Sequence, residues 1–194
     1  MRLFLASASP RRAELLRQIG VEFIRAPVHL DEQPQADESA EDLVCRLARD
    51  KAAAARRLRR DLGPDDLALG ADTLIHIDGE VIGKPRDVQD CAAILQRLSG
   101  RAHEVLSAVA VDDGRQAPAT ALSRSCIRFR TISEAELRAY CASEEPRDKA
   151  GAYAIQGKAA IFIERLEGSY SGVMGLPLFE TAALLRQHGL EVLK

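Results

Sequence analysis

No apolar stretch in this 194-residue chain approaches the roughly 20 residues that a membrane-spanning helix requires. The first apolar run, Leu3 to Ala6, gives way to polar and turn-forming residues after four positions. That is too short and too early for the apolar region of a secretory signal, so a cytoplasmic chain with no membrane partner is expected. Basic excess is missing too. The 27 Lys and Arg stand against 29 Asp and Glu, a formal net charge of −2, which argues against a protein that coats nucleic acid and favours small partners. The four cysteines, Cys45, Cys91, Cys126 and Cys141, lie 46, 35 and 15 positions apart, with no C-x-x-C pair and no neighbouring His cluster. Reduced, mostly buried thiols are therefore expected rather than zinc or disulfides. No internal repeat and no low-complexity tract interrupts the chain.

What is present is the balance of a globular protein, 46% hydrophobic and 29% charged residues. The length corresponds to about 1.3 typical domains, so residues 1–194 are read as a single domain. A chain of this size buries on the order of 70% of its unfolded surface and needs no crosslink to hold a core.

Local signals divide the chain into helices and strands. A strand from Arg2 to Ala6 is followed by Ser9 as N-cap, Pro10 at the first helical position, and a helix through Gln18 that Gly20 stops. A second helix starts at Ser39, with Asp42 three residues on, and runs to about Arg60 with Leu43, Val44, Leu47, Ala48, Ala52, Ala55 and Leu58 at helical spacing. Leu67 to Ala71 reads as a buried strand, and Leu74 to Gly83 as a hairpin turning at Asp78-Gly79. Asp87 caps a helix closed by Gly100, Ser133 with Glu136 opens another, and Pro177 begins a last one running to His188. Strands are expected at Glu104 to Val111, Leu122 to Arg130 and Ala160 to Leu166. Helices interspersed with hairpins indicate an α/β chain with a mixed β-sheet and flanking helices.

Several places carry chemistry. Ser7-Ala8-Ser9-Pro10-Arg11-Arg12 runs a strand into a helix whose first turn holds two arginines. Cations at the positive end of a helix dipole are unfavourable unless an anion sits there, so a phosphate site competes with solvated arginines. It is not a Walker loop, because G-x-x-x-x-G-K-[ST] is absent. Gly70-Ala71-Asp72-Thr73 places a carboxylate at the expected end of an apolar strand, where it either orients a water or a metal or serves as a turn residue. Lys51 falls on the apolar stripe of its helix, so it snorkels past the core edge or points into a polar cleft. Lys84 follows a glycine and precedes a proline on a constrained loop. Asp31-Glu32 supplies a further acidic pair, and Gln156 stands between glycines with one amide donor group and one acceptor for a base edge. The run Arg56 to Arg60 suits a helix C-terminus and reads as structural. Together these residues are the inventory for a polyphosphate held with a divalent metal, where positioning and charge neutralisation do most of the catalytic work.

The ordered set LASASPRR (Leu5 to Arg12), DE (Asp31-Glu32), RLARDKA (Arg46 to Ala52), GADT (Gly70 to Thr73), GEVIGKPRD (Gly79 to Asp87), LSGRAHEV (Leu98 to Val105), DKAGAYAIQG (Asp148 to Gly157) and GSYSGVMGLPL (Gly168 to Leu178) resembles the Maf family of nucleoside triphosphate pyrophosphatases and covers nearly the whole chain. The resemblance implies a mixed sheet with flanking helices in two lobes around a central cleft, often as a homodimer. It implies hydrolysis of a nucleoside triphosphate to the monophosphate and pyrophosphate with a divalent cation, Mg2+ or Mn2+, as nucleotide-pool house-cleaning. Carried over position by position, Asp72 is the proton acceptor and, with Glu32, a metal ligand. Ser7, Arg11, Arg12, Lys51, Lys84 and Gln156 line the substrate site. Specificity in the family is associated with the positions held here by Arg11, Thr73 and Gln156, a combination that resembles the dTTP/UTP branch rather than the one acting on 7-methyl-GTP. Ala154, Gly172 and Met174 depart from the residues usual at their places. The family is also linked to inhibition of septum formation, which leaves a nucleotide-binding regulator as the alternative to an enzyme.

Overall fold

The computed structural model describes residues 1–59 and 61–193. Its elements in chain order are β1 (Leu3–Leu5), α1 (Pro10–Gln18), β2 (Ile24–Arg25), α2 (Ala40–Leu58), β3 (Leu67–Ile77), β4 (Glu80–Ile82), α3 (Val88–Leu98), β5 (Ala102–Asp112), β6 (Ala119–Phe129), α4 (Glu134–Cys141), β7 (Ile163–Glu167), α5 (Tyr170–Met174) and α6 (Leu178–Gln187). Short 3-10 turns at Ala150–Ala152 and Lys158–Phe162 lie between α4 and β7. The sheet is mixed, as expected. Its order is β2-β1-β3-β5-β6-β7, with β4 also pairing with β3. β1 runs parallel to β2 and β3, and the remaining pairs are antiparallel.

Alternation along the two long strands sets the layers. On β5, Ala108 and Ala110 pack with Val44, Ala48 and Ala52 of α2. Val109 and Val111 belong instead to the opposite layer, which includes Leu15 and Leu16 of α1 and Leu184 and Leu185 of α6. A separate core gathers Ile75, Ile77, Leu95, Val105, Phe129, Tyr153 and Phe162 at the other end of the sheet. β3 runs through both regions, and Asp72 and Thr73 belong to none of these apolar clusters.

The helix starts follow their caps. Ser39 accepts from the Asp42 amide, Asp87 from the Asp90 amide, and Ser133 and Glu136 form a reciprocal capping box. Ser9 precedes α1 without a side-chain cap bond, leaving the start of the Arg11-Arg12 helix uncapped by its own serine.

Four expectations need correction or trimming. The strand expected to end at Ala71 continues unbroken to Ile77, because the ladder to β5 holds from Ala68 opposite Asp112 to His76 opposite Glu104. Asp72 is thus a mid-strand residue, and its backbone is satisfied by pairing rather than by a turn. The segment from Ala160 begins as a 3-10 turn and becomes a strand only at Ile163. Helix α2 ends at Leu58, and Arg60 lies outside the described residues. Finally, Cys91 and Cys141 form a disulfide with Cα atoms 5.9 Å apart, while Cys45 and Cys126 are free. Packing of α3 against α4 brings the first two together across 50 residues, a proximity that sequence spacing does not encode.

Candidate active site

The site begins where α2 crosses β3. Lys51 belongs to the buried face of α2, yet it does not snorkel outward. Its ammonium nitrogen lies 2.5 Å from Asp72 Oδ1 and 2.6 Å from Glu32 Oε1. Lys51 and Asp72 are 8% and 6% exposed. The close approach depends on Gly70. A β-carbon there would collide with the Ala48 carbonyl oxygen, stand 2.5 Å from the Ala52 amide nitrogen and 3.1 Å from Lys51 Cβ. Only a residue without a side chain lets the helix backbone settle on the strand at this point.

Glu32 arrives from the loop before α2. The neighbouring Asp31 turns that loop by accepting from the Gln33 amide at 3.0 Å. Burial pushes the Glu32 carboxyl up. The hydrogen bond and charge of Lys51, together with the charges of Lys84 and Arg12, outweigh that and hold it below the usual carboxylate range. Three of the cations singled out from the sequence therefore act on one carboxylate.

Arg12 is half-buried at the start of α1. Its Nε donates to the Gly175 carbonyl at 2.8 Å and its Nη1 to Ser7 Oγ at 3.3 Å. Desolvation lowers the guanidinium pKa, and the charges of Asp72 and Glu32 work against that. Ser7 is buried, and its hydroxyl also accepts from the Ser9 amide at 3.2 Å, which fixes the bend between β1 and α1. Thr73, beside Asp72, shares a 2.6 Å hydrogen bond with Ser107 of β5. A β-carbon at Gly175 would lie 3.7 Å from Arg12 Nε and 3.9 Å from Thr73 Oγ1, so the end of α5 closes over both.

The charge of Arg11 reaches Asp148 in the segment that leads to Gln156. The Asp148 carboxyl is held low first by Lys149, at 2.7 Å, and more weakly by Arg11. That segment is fastened to the Lys84 loop. The Gly151 amide donates to the Gly83 carbonyl at 3.0 Å, and Gly151 has φ +67° with no room for a β-carbon beside Ile75. Lys84 itself is exposed. Gln156 is exposed in the turn Ala154–Gly157, and its side chain makes no hydrogen bond among the described residues.

The structure thus brings Ser7, Arg12, Glu32, Lys51, Asp72 and Thr73 into one connected cluster, with the charge of Lys84 reaching it. Arg11 lies at its edge, and Gln156 is on a neighbouring turn outside the hydrogen-bonded set. Gly70, Ser107 and Gly175 were not singled out from the sequence. Ser107 carried the one available signal, a polar residue inside the apolar run Val105 to Val111 of β5. No group of three or more His, Cys, Asp and Glu side chains converges among the described residues. The acidic donors of the cluster are the pair Glu32 and Asp72. Among the described residues no helix is long and apolar enough to cross a membrane.

A family model described as "Maf-like protein" matches residues 2–188. A protein from Aromatoleum aromaticum named dTTP/UTP pyrophosphatase is 52% identical, covering 97% of this chain and 96% of its own. One of the same name from Methylococcus capsulatus is 50% identical over 98% and 92% of the two chains. Among solved structures, a HAM1 protein from Coxiella burnetii aligns with a TM-score of 0.49 at 15% identity, over 96% of this chain and 99% of that one. The Ham1 protein of Staphylococcus aureus aligns with the same TM-score at 11% identity, over 84% and 91%.

Proposed function

This chain belongs to the Maf-like protein family, and from that premise we propose that it hydrolyses dTTP and UTP to the monophosphate and pyrophosphate, clearing surplus nucleotide. Relatives about half identical over nearly their full length carry the name of that activity. The observation that carries the reading on this chain is the Lys51 ammonium seated between the carboxylates of Asp72 and Glu32.

Release of pyrophosphate requires water to add at the α-phosphorus while the α–β bridging oxygen leaves with the β- and γ-phosphates. Such a reaction needs little covalent help and much positioning. Arg11, Arg12, Lys51 and Lys84 bring four positive charges against the two of Glu32 and Asp72, an excess that suits a triphosphate. Ser7 Oγ and the amides at the start of α1 add neutral donors on the same side. Asp72 takes the proton of the attacking water. Lys51, donating to Asp72 Oδ1, holds that carboxylate in place, and Thr73 and Gln156 address the base.

A divalent cation fits this donor set. The Lys51 nitrogen, within 2.6 Å of one oxygen of each carboxylate, fills the point between them, so the two acidic side chains lie side by side and a cation would use the carboxylate oxygens that Lys51 leaves free. Mg2+ commonly takes one or two carboxylates and completes its shell with phosphate oxygens and water. Glu32 and Asp72 would hold Mg2+ or Mn2+, which supplies neutralisation of phosphate charge. The proposal extends to a cytoplasmic setting and to a homodimer, whose mass sedimentation would give.

The test is pyrophosphate release from dTTP, UTP, CTP, ATP, GTP and 7-methyl-GTP with and without Mg2+ or Mn2+, for the parent chain and Asp72→Asn. Metal-dependent turnover led by dTTP and UTP, lost in the variant with binding retained, is the expected result. Turnover led by 7-methyl-GTP would overturn the branch, near-normal activity of the variant would remove the assigned base, and no turnover on any nucleotide would point to a binding regulator.

A further inference from the structure

The turn that carries Gln156 is held at both ends by partners for which nucleotide hydrolysis has no chemical use. Upstream, the Tyr153 hydroxyl meets His103 Nε2 at 2.8 Å. His103 is 3% exposed on β5, paired in register with Ile127 of β6 in the interior of the sheet. The rings of His103, Tyr153 and Phe129 pack edge to face, with centroids between 4.9 and 5.5 Å apart. Downstream, the Glu145 carboxylate accepts from the amides of Lys158 at 2.8 Å and Ala159 at 3.3 Å, and from the Tyr140 hydroxyl at 2.9 Å. The chain passes so close that a β-carbon at Gly157 would collide with that carboxylate. Between these anchors the Gly157 amide donates to the Ala154 carbonyl at 3.0 Å, which leaves Gln156 exposed at the third position of the turn.

Stability alone does not account for the upstream anchor. His103 Nδ1 is buried with no hydrogen-bond partner among the described residues. An apolar pair of similar volume would fill the same space without an orphaned polar atom. What a directional bond adds is a fixed orientation for the backbone that leads to Gln156.

We propose that His103 and Glu145 are positioning residues for base selection: through the Tyr153 hydroxyl and the Lys158 and Ala159 amides they clamp the Ala154–Gly157 turn, so that Gln156 meets the base edge in one orientation. The role rests on the assignment of Gln156 to base reading. A glutamine on a held backbone turn reaches a base edge from one fixed direction and distance, whereas one on a loose turn can shift to suit the edge of thymine, uracil or cytosine alike. Loosening the clamp therefore costs selectivity more than turnover.

The experiment measures kcat and KM for dTTP and dCTP, which share sugar and phosphates and differ on the base edge. The variants are Gln156→Ala, Tyr153→Phe, His103→Leu, His103→Gln and Glu145→Gln, with circular dichroism melts for each. Tyr153→Phe and His103→Leu are expected to lower the dTTP preference about tenfold, mainly by raising KM for dTTP. His103→Gln, whose amide still reaches the tyrosine hydroxyl, restores most of it. Tyr153→Phe keeps the ring and carries the test if His103→Leu does not fold. An unchanged preference in Tyr153→Phe alongside a collapsed one in Gln156→Ala overturns the clamp, as does an equal loss on both nucleotides. An unchanged preference in Gln156→Ala removes base reading from that residue and the clamp with it, while hydrolysis itself stands. No turnover by the parent chain is the separate failure of the functional reading.

Discussion

The Lys51 ammonium lies 2.5 Å from Asp72 Oδ1, joining the buried face of α2 to the middle of β3 with both side chains about nine-tenths buried. Neither charge is stable there alone. Removing one partner of a buried ion pair leaves the other desolvated and uncompensated, at a cost of about 3 to 5 kcal/mol. The half-exposed Glu32 also bonds Lys51 and remains accessible to water, so the loss here falls toward the lower figure.

Lys51→Met is therefore expected to destabilise the chain by about 3 kcal/mol and to abolish turnover. Lys51→Met combined with Asp72→Asn recovers much of the stability and none of the activity. Urea unfolding of the single and double variants measures the coupling. Additive losses of stability would show that the pair does not interact as its geometry indicates.

Gly70 allows that contact by letting helix backbone touch strand backbone. Gly70→Ala forces α2 away from β3, because the atoms in the way are the Ala48 carbonyl and the Ala52 amide rather than a side chain that can swing aside. A loss of at least about 2 kcal/mol is expected from overpacking, with catalytic activity falling further than stability as Lys51 leaves Asp72. A variant as stable and active as the parent would mean that the helix does not need this approach.

The features legible in the sequence were those fixed by near neighbours. Ser39 with Asp42, Asp87 with Asp90 and Ser133 with Glu136 act within one helical turn, and each caps as its spacing indicates. The hairpin turn at Asp78-Gly79 follows from two residues that tolerate positive φ. Lys51 was legible as an anomaly, a cation on an apolar stripe, but its destination was not, because Asp72 is 21 positions away and approaches only through Gly70. The continuity of β3 through Asp72 depends on pairing with β5, whose register no local pattern states. The pairing of Cys91 with Cys141 likewise depends on α3 meeting α4 in space.

That crosslink makes a chemical prediction. Alkylation of the air-purified, denatured and unreduced chain should modify two of the four cysteines, Cys45 and Cys126, and all four after reduction. Closing a loop of 50 residues restricts the unfolded chain by roughly 4 kcal/mol. Reduction should lower the melting temperature accordingly, and Cys91→Ala with Cys141→Ala should show no further response to reductant. Four reactive thiols before reduction would restore the expectation of unpaired cysteines.

His103 gives stability a pH dependence whose sign is fixed by its burial. Desolvation lowers its pKa from 6.5 to about 4. Between those values the unfolded chain binds a proton that the folded chain does not, so the His103 contribution is fully present above pH 6.5 and is lost as the pH falls toward 4. At about 1.4 kcal/mol for each unit, the full loss is about 3 kcal/mol. Carboxylates such as Asp90, held at about 2 by Arg86, lose their own contribution only at lower pH, mostly between the ordinary carboxylate value and 2. Urea unfolding at pH 7, 6 and 5 should thus show a decline in the parent chain that His103→Gln largely removes. Parallel pH profiles for the two proteins would mean that the imidazole titrates as it does in water and that the Tyr153 hydroxyl is not its buried partner.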